Sequence, residues 1–241
     1  MRRTLLLCAL PFCPCLAAEP REVAIPTPRG VELKGTIDAP AKPNGGVVVL
    51  AAGKGYHGGL PLLKACAERL AAEGFFVVRF EWAYFTAKKE PAPDLSTEIE
   101  DLEAAIAYAK KIEGVRRVIV AGKSLGSIAA LLRAGKKADD LAGVALLTFP
   151  IHEPGVPGRV FPEAEKVANL KLPVLILCGD KDDLCEPGAL YALAATCPTP
   201  PTVVIVPGDH GMKEGDDTSK EQENVALAAH ALAIWAKRRL G

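Results

Sequence analysis

Ser124 stands between two glycines in the stretch GKSLG at 122–126, which follows one apolar run and precedes another. On a sharp turn between a strand and a helix, flanking glycines let such a serine lift its hydroxyl above the sheet, where it can attack a carbonyl carbon. A serine in a glycine-rich turn is otherwise an ordinary structural residue. The strand-like run before it and the helix-like run after it favour the first interpretation, so the spacing predicts a nucleophilic serine.

A histidine that could activate this serine follows the last predicted strand of the chain. His210 lies in GDHG at 208–211, between that strand and the closing predicted helix. From this position its imidazole can take the proton of Ser124 during attack on a carbonyl and later return it to a leaving group. We therefore predict that His210 is the general base.

An acidic side chain is expected to hold this imidazole in the tautomer that the chemistry needs. Three aspartates compete in GDKDD at 179–183, which follows the preceding predicted strand. We favour Asp182, at the third place after the glycine, and leave Asp183 and Asp180 open as alternatives.

Backbone N–H groups must stabilise the negative oxygen that forms when the serine attacks. We expect Leu125 to supply one, because it begins a helix directly after Ser124, and Lys54 to supply a second from the loop after the third strand. For His152 we leave open the alternative that it is a loop residue whose side chain bonds to its own turn. Four side chains on loops at this edge of the sheet are candidates for lining the substrate site: His57, Trp82, Tyr84 and His152.

Alternating patterns place all these residues on a strand–helix framework. Short β-branched apolar runs predict strands buried on both faces, and amphipathic segments between them predict helices. After an antiparallel hairpin at 22–37, strands are expected at 45–53, 75–82, 116–122, 141–148, 172–179 and 202–206, and helices at 60–72, 97–112, 125–134, 187–197 and 221–240.

This succession predicts an α/β fold with about eight strands in a mostly parallel sheet and helices on both faces. In such sheets ligands bind beyond the carboxyl ends of the strands, where every candidate residue above lies. Thr97 and Glu100 are expected to form a capping box at the start of one helix. The Pro- and Gly-containing segment at 150–170 is too short for a large lid, so we expect an open site.

The composition limits the classes of partner. The chain has 29 basic and 29 acidic residues, so no basic excess predicts a nucleic-acid partner. None of its apolar runs is long enough for a transmembrane helix, and no His, Cys and Asp cluster has the spacing of a metal site. We therefore expect a small-molecule substrate, no metal and no cofactor, while the oligomeric state stays open.

The first 18 residues have the pattern of a secretory signal peptide. Arg2 and Arg3 precede an apolar run that ends in two alanines before Glu19, as expected of a leader with a small-residue cleavage site. The run is shorter than the ~20 residues that span a bilayer. We expect export to the periplasm or the exterior and a single mature domain over 19–241. A lipid anchor is less expected, because none of the leader cysteines follows Gly, Ala or Ser.

Four cysteines remain after the leader: Cys66, Cys178, Cys185 and Cys197. An even number in an oxidising compartment is compatible with disulfides. A helix between Cys185 and Cys197 would separate their Cα atoms by ~15 Å, which is too far for a bridge. A Cys178–Cys185 bridge stays open, and four free core thiols are the alternative.

The motifs AGKSLGS at 121–127, GDKDD at 179–183 and PGDH at 207–210 resemble those of the α/β-hydrolase family, and the resemblance extends over residues 22–241. More narrowly, RFEWAYF at 79–85, GKSLGS and FPIHEPGVPG at 149–158 resemble the small dienelactone-hydrolase-like group, which includes the testis-expressed and NSL-complex-subunit hydrolase-like proteins. The resemblance implies an α/β-hydrolase fold with serine, acid and histidine in that order along the chain.

Two departures accompany the resemblance. Dienelactone hydrolases proper carry a cysteine where this chain has Ser124, and the His-Gly that usually precedes the oxyanion donor is Ala52-Gly53 here. We predict a serine hydrolase that cleaves an ester or thioester of a small or accessible acyl group through an acyl-enzyme. Two other classes stay open: a non-catalytic hydrolase-fold binding or scaffolding protein, and an acyltransferase that uses the same three residues.

Overall fold

The computed structural model describes residues 19–240. The predicted leader at 1–18 therefore lies outside the described residues, and its cleavage and the resulting export stay predictions.

One sheet of eight strands forms the centre of the described chain, in the order β1-β2-β4-β3-β5-β6-β7-β8. The two pairs β1–β2 and β2–β4 are antiparallel, and the remaining pairs, from β4 through β8, are parallel. The strands are β1 (Arg21–Pro26), β2 (Glu32–Asp38), β3 (Gly46–Ala51), β4 (Phe76–Phe80), β5 (Arg117–Lys123), β6 (Gly143–Leu147), β7 (Val174–Gly179) and β8 (Thr202–Val206).

The connections supply seven α-helices within the described residues, and a 3-10 helix at Lys166–Asn169 follows the fifth of them. The helices are α1 (Pro61–Ala72), α2 (Ala83–Thr86), α3 (Ser96–Ala109), α4 (Leu125–Lys136), α5 (Pro162–Glu165), α6 (Pro187–Ala195) and α7 (Thr218–Lys237). Between β6 and β7 the chain has only α5 and the 3-10 helix as regular structure, which agrees with the expected minimal lid.

Helices cover the sheet on both faces, as two close contacts show. Gly143 in β6 lies against Trp235 of α7, and Gly122 in β5 lies against the first turn of α4. Gly143 pairs with Ile119, which is an odd number of residues from Gly122, and successive residues of a strand face opposite sides. Consequently α4 and α7 pack on opposite faces, and the predicted α/β architecture is confirmed.

The interior strands are buried throughout, as the apolar runs predicted. Every residue of β3, β6 and β7 is buried, because each of these strands has neighbours on both sides and helices on both faces. None of the helices in the described residues is both long and apolar enough to cross a membrane.

The start of α3 differs from the expected capping box. The helix begins at Ser96 rather than Thr97, and Leu95 before it adopts a left-handed conformation with φ of 55°. Asp94 takes the capping role, because its carboxylate accepts both the N–H and the hydroxyl of Ser96. The predicted pairing of Thr97 with Glu100 is therefore wrong.

All four cysteines in the described residues have free, buried thiols. Burial raises the pKa of Cys66 to about 12. Hydrogen bonding with Cys178, together with burial, raises the pKa of Cys185. This arrangement corresponds to the alternative of free core thiols.

Candidate active site

Ser124 occupies a strained turn between β5 and α4. Its backbone has φ of 53° and ψ of −118°, a conformation that non-glycine residues adopt only where the surrounding structure enforces it. Its carbonyl accepts hydrogen bonds from the N–H groups of Ser127 and Ile128, which starts the helix immediately. The structure thus places Ser124 at the carboxyl end of a central strand, in the sharp bend that the sequence predicted.

The two glycines around this turn leave no room for a side chain at either position. A Cβ atom on Gly122 would stand 2.2 Å from the carbonyl oxygen of Gly126, and one on Gly126 would stand 2.6 Å from the carbonyl oxygen of Ala52. Real Cβ atoms do not approach other atoms so closely, so any side chain at either position would push the helix away from the sheet. The G-x-S-x-G pattern therefore permits α4 to begin directly against β5 and the end of β3.

His210 and Asp182 meet beyond the ends of β8 and β7. The Nδ1 atom of His210 lies 3.0 Å from each carboxylate oxygen of Asp182. The Asp182 side chain is fully buried, while the imidazole is 24% exposed. One carboxylate oxygen also accepts the backbone N–H of Leu184. With its proton on Nδ1, the imidazole donates to this carboxylate and leaves Nε2 free to accept a proton.

The other two aspartates of this loop take different positions. Asp183 is exposed. Asp180 is also exposed, and its carboxylate accepts the backbone N–H of Gly208 at 2.8 Å. Asp180 therefore ties the loop after β7 to the loop that carries His210, without contacting the imidazole itself.

Of the two predicted oxyanion donors, Leu125 follows Ser124 directly, and Lys54 belongs to a loop that approaches Ser124. Leu125 is the first residue of α4, so its N–H has no partner inside the helix. The loop after β3 comes close to Ser124 at Gly53, where a Cβ atom would stand 3.4 Å from Cβ of Ser124. Within residues 19–240, neither the N–H of Lys54 nor that of Leu125 donates a hydrogen bond.

Trp82 and Tyr84, expected at the lining of the site, instead support this loop from beneath. Trp82 is fully buried, and its indole Nε1 donates to the carbonyl oxygen of Ala52 at 2.8 Å. Tyr84 is 8% exposed, and its hydroxyl accepts the N–H of Gly55 at 3.2 Å. Both side chains hold the backbone around Lys54 in place.

His152 likewise makes internal contacts. It is 1% exposed, its Nδ1 donates to the carbonyl oxygen of Glu153 at 2.8 Å, and its Nε2 accepts the N–H of Glu186 at 2.9 Å. The ring therefore links the loop after β6 to the loop that carries Asp182. This corresponds to the alternative of a loop residue bonded to its own turn, with an additional tie to the acid loop.

His57 lies on the exposed surface of the loop after β3. Its Nδ1 accepts the N–H of Gly59 at 3.0 Å. It contributes to an open cavity of about 860 Å³ formed largely by β1, β2 and β4, and none of the lining residues belongs to the predicted serine, acid and histidine set. His57 therefore lines this separate cavity, and its place in the lining of the Ser124 site stays a prediction.

An apolar groove of about 370 Å³ runs beside Leu125, the residue that follows the predicted nucleophile. It is bounded by the start of α3, the exposed side of α4 and the segment before α5. Sequence patterns gave no sign of this groove, because its walls come from three separate segments. The apolar side chains along it are Pro93, Leu95, Leu125, Ile128, Leu132 and Phe161, and two acidic residues, Asp94 and Glu163, also line it.

Residues 19–240 contain no group of three or more His, Cys, Asp or Glu side chains arranged to hold a metal ion.

Comparisons with known proteins agree with this architecture. A family model described as "Alpha/beta hydrolase domain" matches residues 44–237. Among curated proteins, none matches this sequence.

Several solved structures share the fold at low sequence identity. Est1E from Butyrivibrio proteoclasticus with bound ferulic acid is 18% identical, with 90% of this chain and 99% of that chain covered and a TM-score of 0.73. A lid-less α/β serine hydrolase from Xanthomonas campestris is 20% identical, with coverage of 92% and 96% and a TM-score of 0.68. A putative dienelactone hydrolase from Klebsiella pneumoniae is 18% identical, with coverage of 91% and 98% and a TM-score of 0.69.

Proposed function

The chain belongs to the alpha/beta hydrolase domain family, and from this membership and the geometry of its site we propose that it is a serine hydrolase acting on carboxylic esters or thioesters. Esterases and serine hydrolases are among the proteins that share its fold, which supports hydrolysis as the general reaction. The finer proposal, of a triad and a class of substrate, rests on the arrangement of side chains within this chain.

In the proposed reaction, Ser124 attacks the carbonyl carbon of the substrate while His210 takes the hydroxyl proton on Nε2. Asp182 holds the imidazole by its Nδ1–H and stabilises the imidazolium that forms. The N–H groups of Leu125 and Lys54 donate to the negative oxygen of the tetrahedral intermediate. The imidazolium then protonates the leaving alcohol or thiol. In the second half of the reaction water attacks the acyl-enzyme while His210 takes a proton from it, and the imidazolium returns that proton to the oxygen of Ser124 as the acid leaves.

One observation supports this proposal more strongly than the others. The fully buried carboxylate of Asp182 lies 3.0 Å from Nδ1 of His210, in loops that end at the same edge of the sheet as the strained turn of Ser124. Burying a carboxylate is costly unless it is well paired. A histidine that is only a surface residue gives no reason for such a buried carboxylate beside it, whereas a catalytic base does.

The apolar groove beside Leu125 supports esters that carry an apolar group of moderate size. Since α4 rises ~1.5 Å per residue, the face from Leu125 to Leu132 spans about 10 Å, which is about the length of an eight-carbon chain. We therefore propose short to medium acyl or aryl groups as substrates. A series from p-nitrophenyl acetate through butyrate and octanoate to hexadecanoate, with methyl ferulate beside it, is expected to give its highest kcat/KM at the middle lengths.

The direct test of the proposed nucleophile is labelling of the purified protein with a fluorophosphonate. We expect wild type to be labelled and Ser124→Ala to remain unlabelled, with kcat on the best ester reduced by ~10⁶, as when a triad serine is removed. Ser127→Ala is the matched control. Ser127 is buried within α4 and its hydroxyl donates to the backbone carbonyl of Ser124, so this serine has a structural role and should not be the labelled nucleophile.

Three results would contradict parts of the proposal. Labelled or active Ser124→Ala excludes this serine as the nucleophile. Wild type that resists labelling and hydrolyses none of the esters identifies a non-catalytic hydrolase-fold protein. Preferential transfer of the acyl group to an added alcohol, at the expense of release to water, identifies an acyltransferase.

A further inference from the structure

The loop that carries Asp182, which we call the acid loop, comprises residues 180–186 between β7 and α6. The N–H of Leu184 donates to the buried carboxylate of Asp182 at 3.0 Å, and the N–H of Cys185 donates to the backbone carbonyl of Asp182 at 3.2 Å. The direction of the Asp182 side chain therefore depends on the path of the chain that follows it, residues 183–186.

This second part of the acid loop is attached to the protein by the loop after β6. Within the described chain, three hydrogen bonds link residues 183–186 to residues outside the acid loop and α6, and all three involve Ile151 or His152. The carbonyl of Leu184 accepts the N–H of Ile151 at 2.8 Å and the N–H of His152 at 3.3 Å. The N–H of Glu186 donates to Nε2 of His152 at 2.9 Å. His152 therefore takes part in two of the three attachments.

The imidazole of His152 is held in one tautomer by its two partners. The carbonyl of Glu153 can only accept, so Nδ1, which lies 2.8 Å from it, carries the proton. The N–H of Glu186 can only donate, so Nε2 is unprotonated and accepts. The ring is 1% exposed and uses both of its nitrogen atoms in these bonds, which leaves neither for a substrate.

The backbone that brings His152 to the acid loop contains a strained residue. Thr148, directly after β6, has φ of 41°, where a β-branched residue is an outlier. Its N–H donates to the carbonyl of Leu177 in β7 at 2.7 Å, so the chain leaves the sheet only after this contact. Such strain persists only where surrounding contacts enforce it. The bonds of Ile151 and His152 to Leu184 are the next backbone hydrogen bonds along the chain.

We propose that His152 is a positioning residue that holds the acid loop in the path by which Asp182 reaches His210. This inference rests on the proposed function, because it takes Asp182 and His210 as the acid and the base. Without the acceptor at Nε2, the chain after Asp182 loses one of its three attachments, and the carboxylate can move away from Nδ1 of His210. A displacement of about 1 Å in a catalytic group can reduce the rate on the order of 10²-fold.

Two amide variants separate the bond between the loops from the bond within the turn of His152. Glutamine places its amide oxygen near the site of Nε2, so His152→Gln can still accept the N–H of Glu186. Asparagine places its amide near the site of Nδ1, so His152→Asn can still donate to the carbonyl of Glu153 but does not reach Glu186. Both replace a buried ring by a smaller amide. His230→Asn is the matched control, since His230 is exposed on α7.

A third variant removes the same hydrogen bond from its other side and leaves His152 intact. Glu186 has φ of −59°, which proline can adopt, and proline has no N–H to donate. Glu186→Pro should therefore reproduce the effect of His152→Asn. Glu186→Ala keeps the N–H and is its matched control. Circular dichroism and urea denaturation show that each variant is folded under the assay conditions.

The first readout is the proton that Nδ1 of His210 donates to Asp182, observed by NMR without substrate. A charge-assisted hydrogen bond to a carboxylate is short and strong, and it moves the resonance of its proton far downfield of the backbone amides. His210→Gln lacks this proton and so assigns the resonance. We expect it to be retained in His152→Gln, His230→Asn and Glu186→Ala, and to be lost or moved upfield in His152→Asn and Glu186→Pro.

The second readout is the rate of ester hydrolysis. In His152→Asn and Glu186→Pro we expect kcat to fall roughly 10²-fold with KM nearly unchanged, because the acid is displaced while the binding of the substrate is not. His152→Gln should retain most of the wild-type kcat. A role of His152 in packing alone would instead reduce both amide variants alike.

Equal resonances and equal kcat in the two amide variants would overturn the positioning role, as would a Glu186→Pro variant that behaves like Glu186→Ala. A loss in His152→Gln with retention in His152→Asn would also overturn it and assign the effect to the bond with Glu153. Wild type that resists fluorophosphonate and hydrolyses no ester would contradict the proposed hydrolase. The resonance, which needs no substrate, would still show whether His152 orients Asp182.

Discussion

At the scale of single residues, the loop at 179–183 offers an internal control for the proposed triad. Asp182→Asn keeps the size of the side chain but presents an amide to the imidazole, which favours the wrong tautomer, and we expect kcat to fall by up to ~10⁴ with the fold retained. Asp183→Asn should leave kcat nearly unchanged, because Asp183 is exposed and does not contact His210. Initial rates on one ester, with circular dichroism for folding, measure both.

Asp180→Asn should have a mild effect for a different reason. Its role is to accept the N–H of Gly208, and the amide oxygen of asparagine can still do so. If Asp183→Asn is the damaging change, or if all three variants retain full activity, the assignment of Asp182 is wrong.

These residues also show how far a site can be predicted from sequence patterns. The positions of Ser124 and His210 in the fold could be predicted because a short motif and its place between a strand and a helix fix the backbone that carries them. Asp182 could only be favoured over its neighbours, since the choice depends on how one loop turns. In the structure the N–H of Asp182 bonds to the carbonyl of Gly179, and this turn directs its side chain inward.

The expected lining residues show the same limit. A pattern can place a side chain on the correct loop, but it does not tell which way the side chain points. Trp82 and His152 are on the expected loops and face inward, where their nitrogen atoms bond to backbone groups. Lys123 lies within the motif itself, and its burial follows only from the fold.

At the scale of secondary-structure elements, one buried ion pair joins β2, β4 and the loop after β3. Arg79 donates from Nε and Nη2 to the two carboxylate oxygens of Asp38, both at 2.9 Å, and from Nη1 to the carbonyl oxygen of Gly58. Both side chains are buried. The pair therefore fixes the loop that contains Lys54 to two strands of the sheet.

Removal of one partner should leave an uncompensated buried charge. We expect Asp38→Ala to lower the free energy of unfolding by about 3–5 kcal/mol, measured by urea denaturation. Glu68→Ala is the matched control, because Glu68 pairs with Lys64 on the exposed face of α1, and an exposed pair contributes at most about 1 kcal/mol. Equal losses in the two variants would show that the buried pair has no special role.

The strands and long helices could be predicted from the sequence because burial on both faces selects continuous β-branched runs. The interior runs that became β3, β5 and β7 are of this kind. Helix α2, with four residues, could not be predicted, since it is too short to show a helical period. The start of α3 could be capped by Thr97 with Glu100 or by Asp94. In the structure the Asp94 carboxylate accepts the N–H and the hydroxyl of Ser96, and this depends on the path of the preceding loop.

At the scale of the whole molecule, a charged cluster joins the ends of α3 and α4. Arg133 donates from Nη1 and Nη2 to the two carboxylate oxygens of Asp140, at 2.6 and 2.7 Å, and Lys110 donates to the second oxygen at 2.6 Å. These hydrogen bonds and charges, above all those of Arg133, hold the pKa of Asp140 well below its usual range. Stability of the whole domain is thereby linked to pH.

The direction of this link follows from the lowered pKa. A carboxylate whose pKa is lower in the folded than in the unfolded state stabilises the fold fully above the unfolded value, about 3.9, and loses this contribution as pH falls towards the folded value. Asp140→Asn should therefore lower the free energy of unfolding at pH 7 by roughly 1.5–3 kcal/mol, the usual contribution of a hydrogen bond to a charged group.

Urea denaturation of wild type and Asp140→Asn between pH 7 and pH 3 tests this prediction. The difference between the two proteins should stay constant down to about pH 5 and then narrow as the pH falls below about 4, because Asp140 becomes protonated in the unfolded chain. Asp139→Asn is the matched control, since Asp139 is an exposed neighbour and its replacement should change stability little at any pH. A difference for Asp140→Asn that does not narrow in acid would mean that packing, and not charge, links the two helix ends.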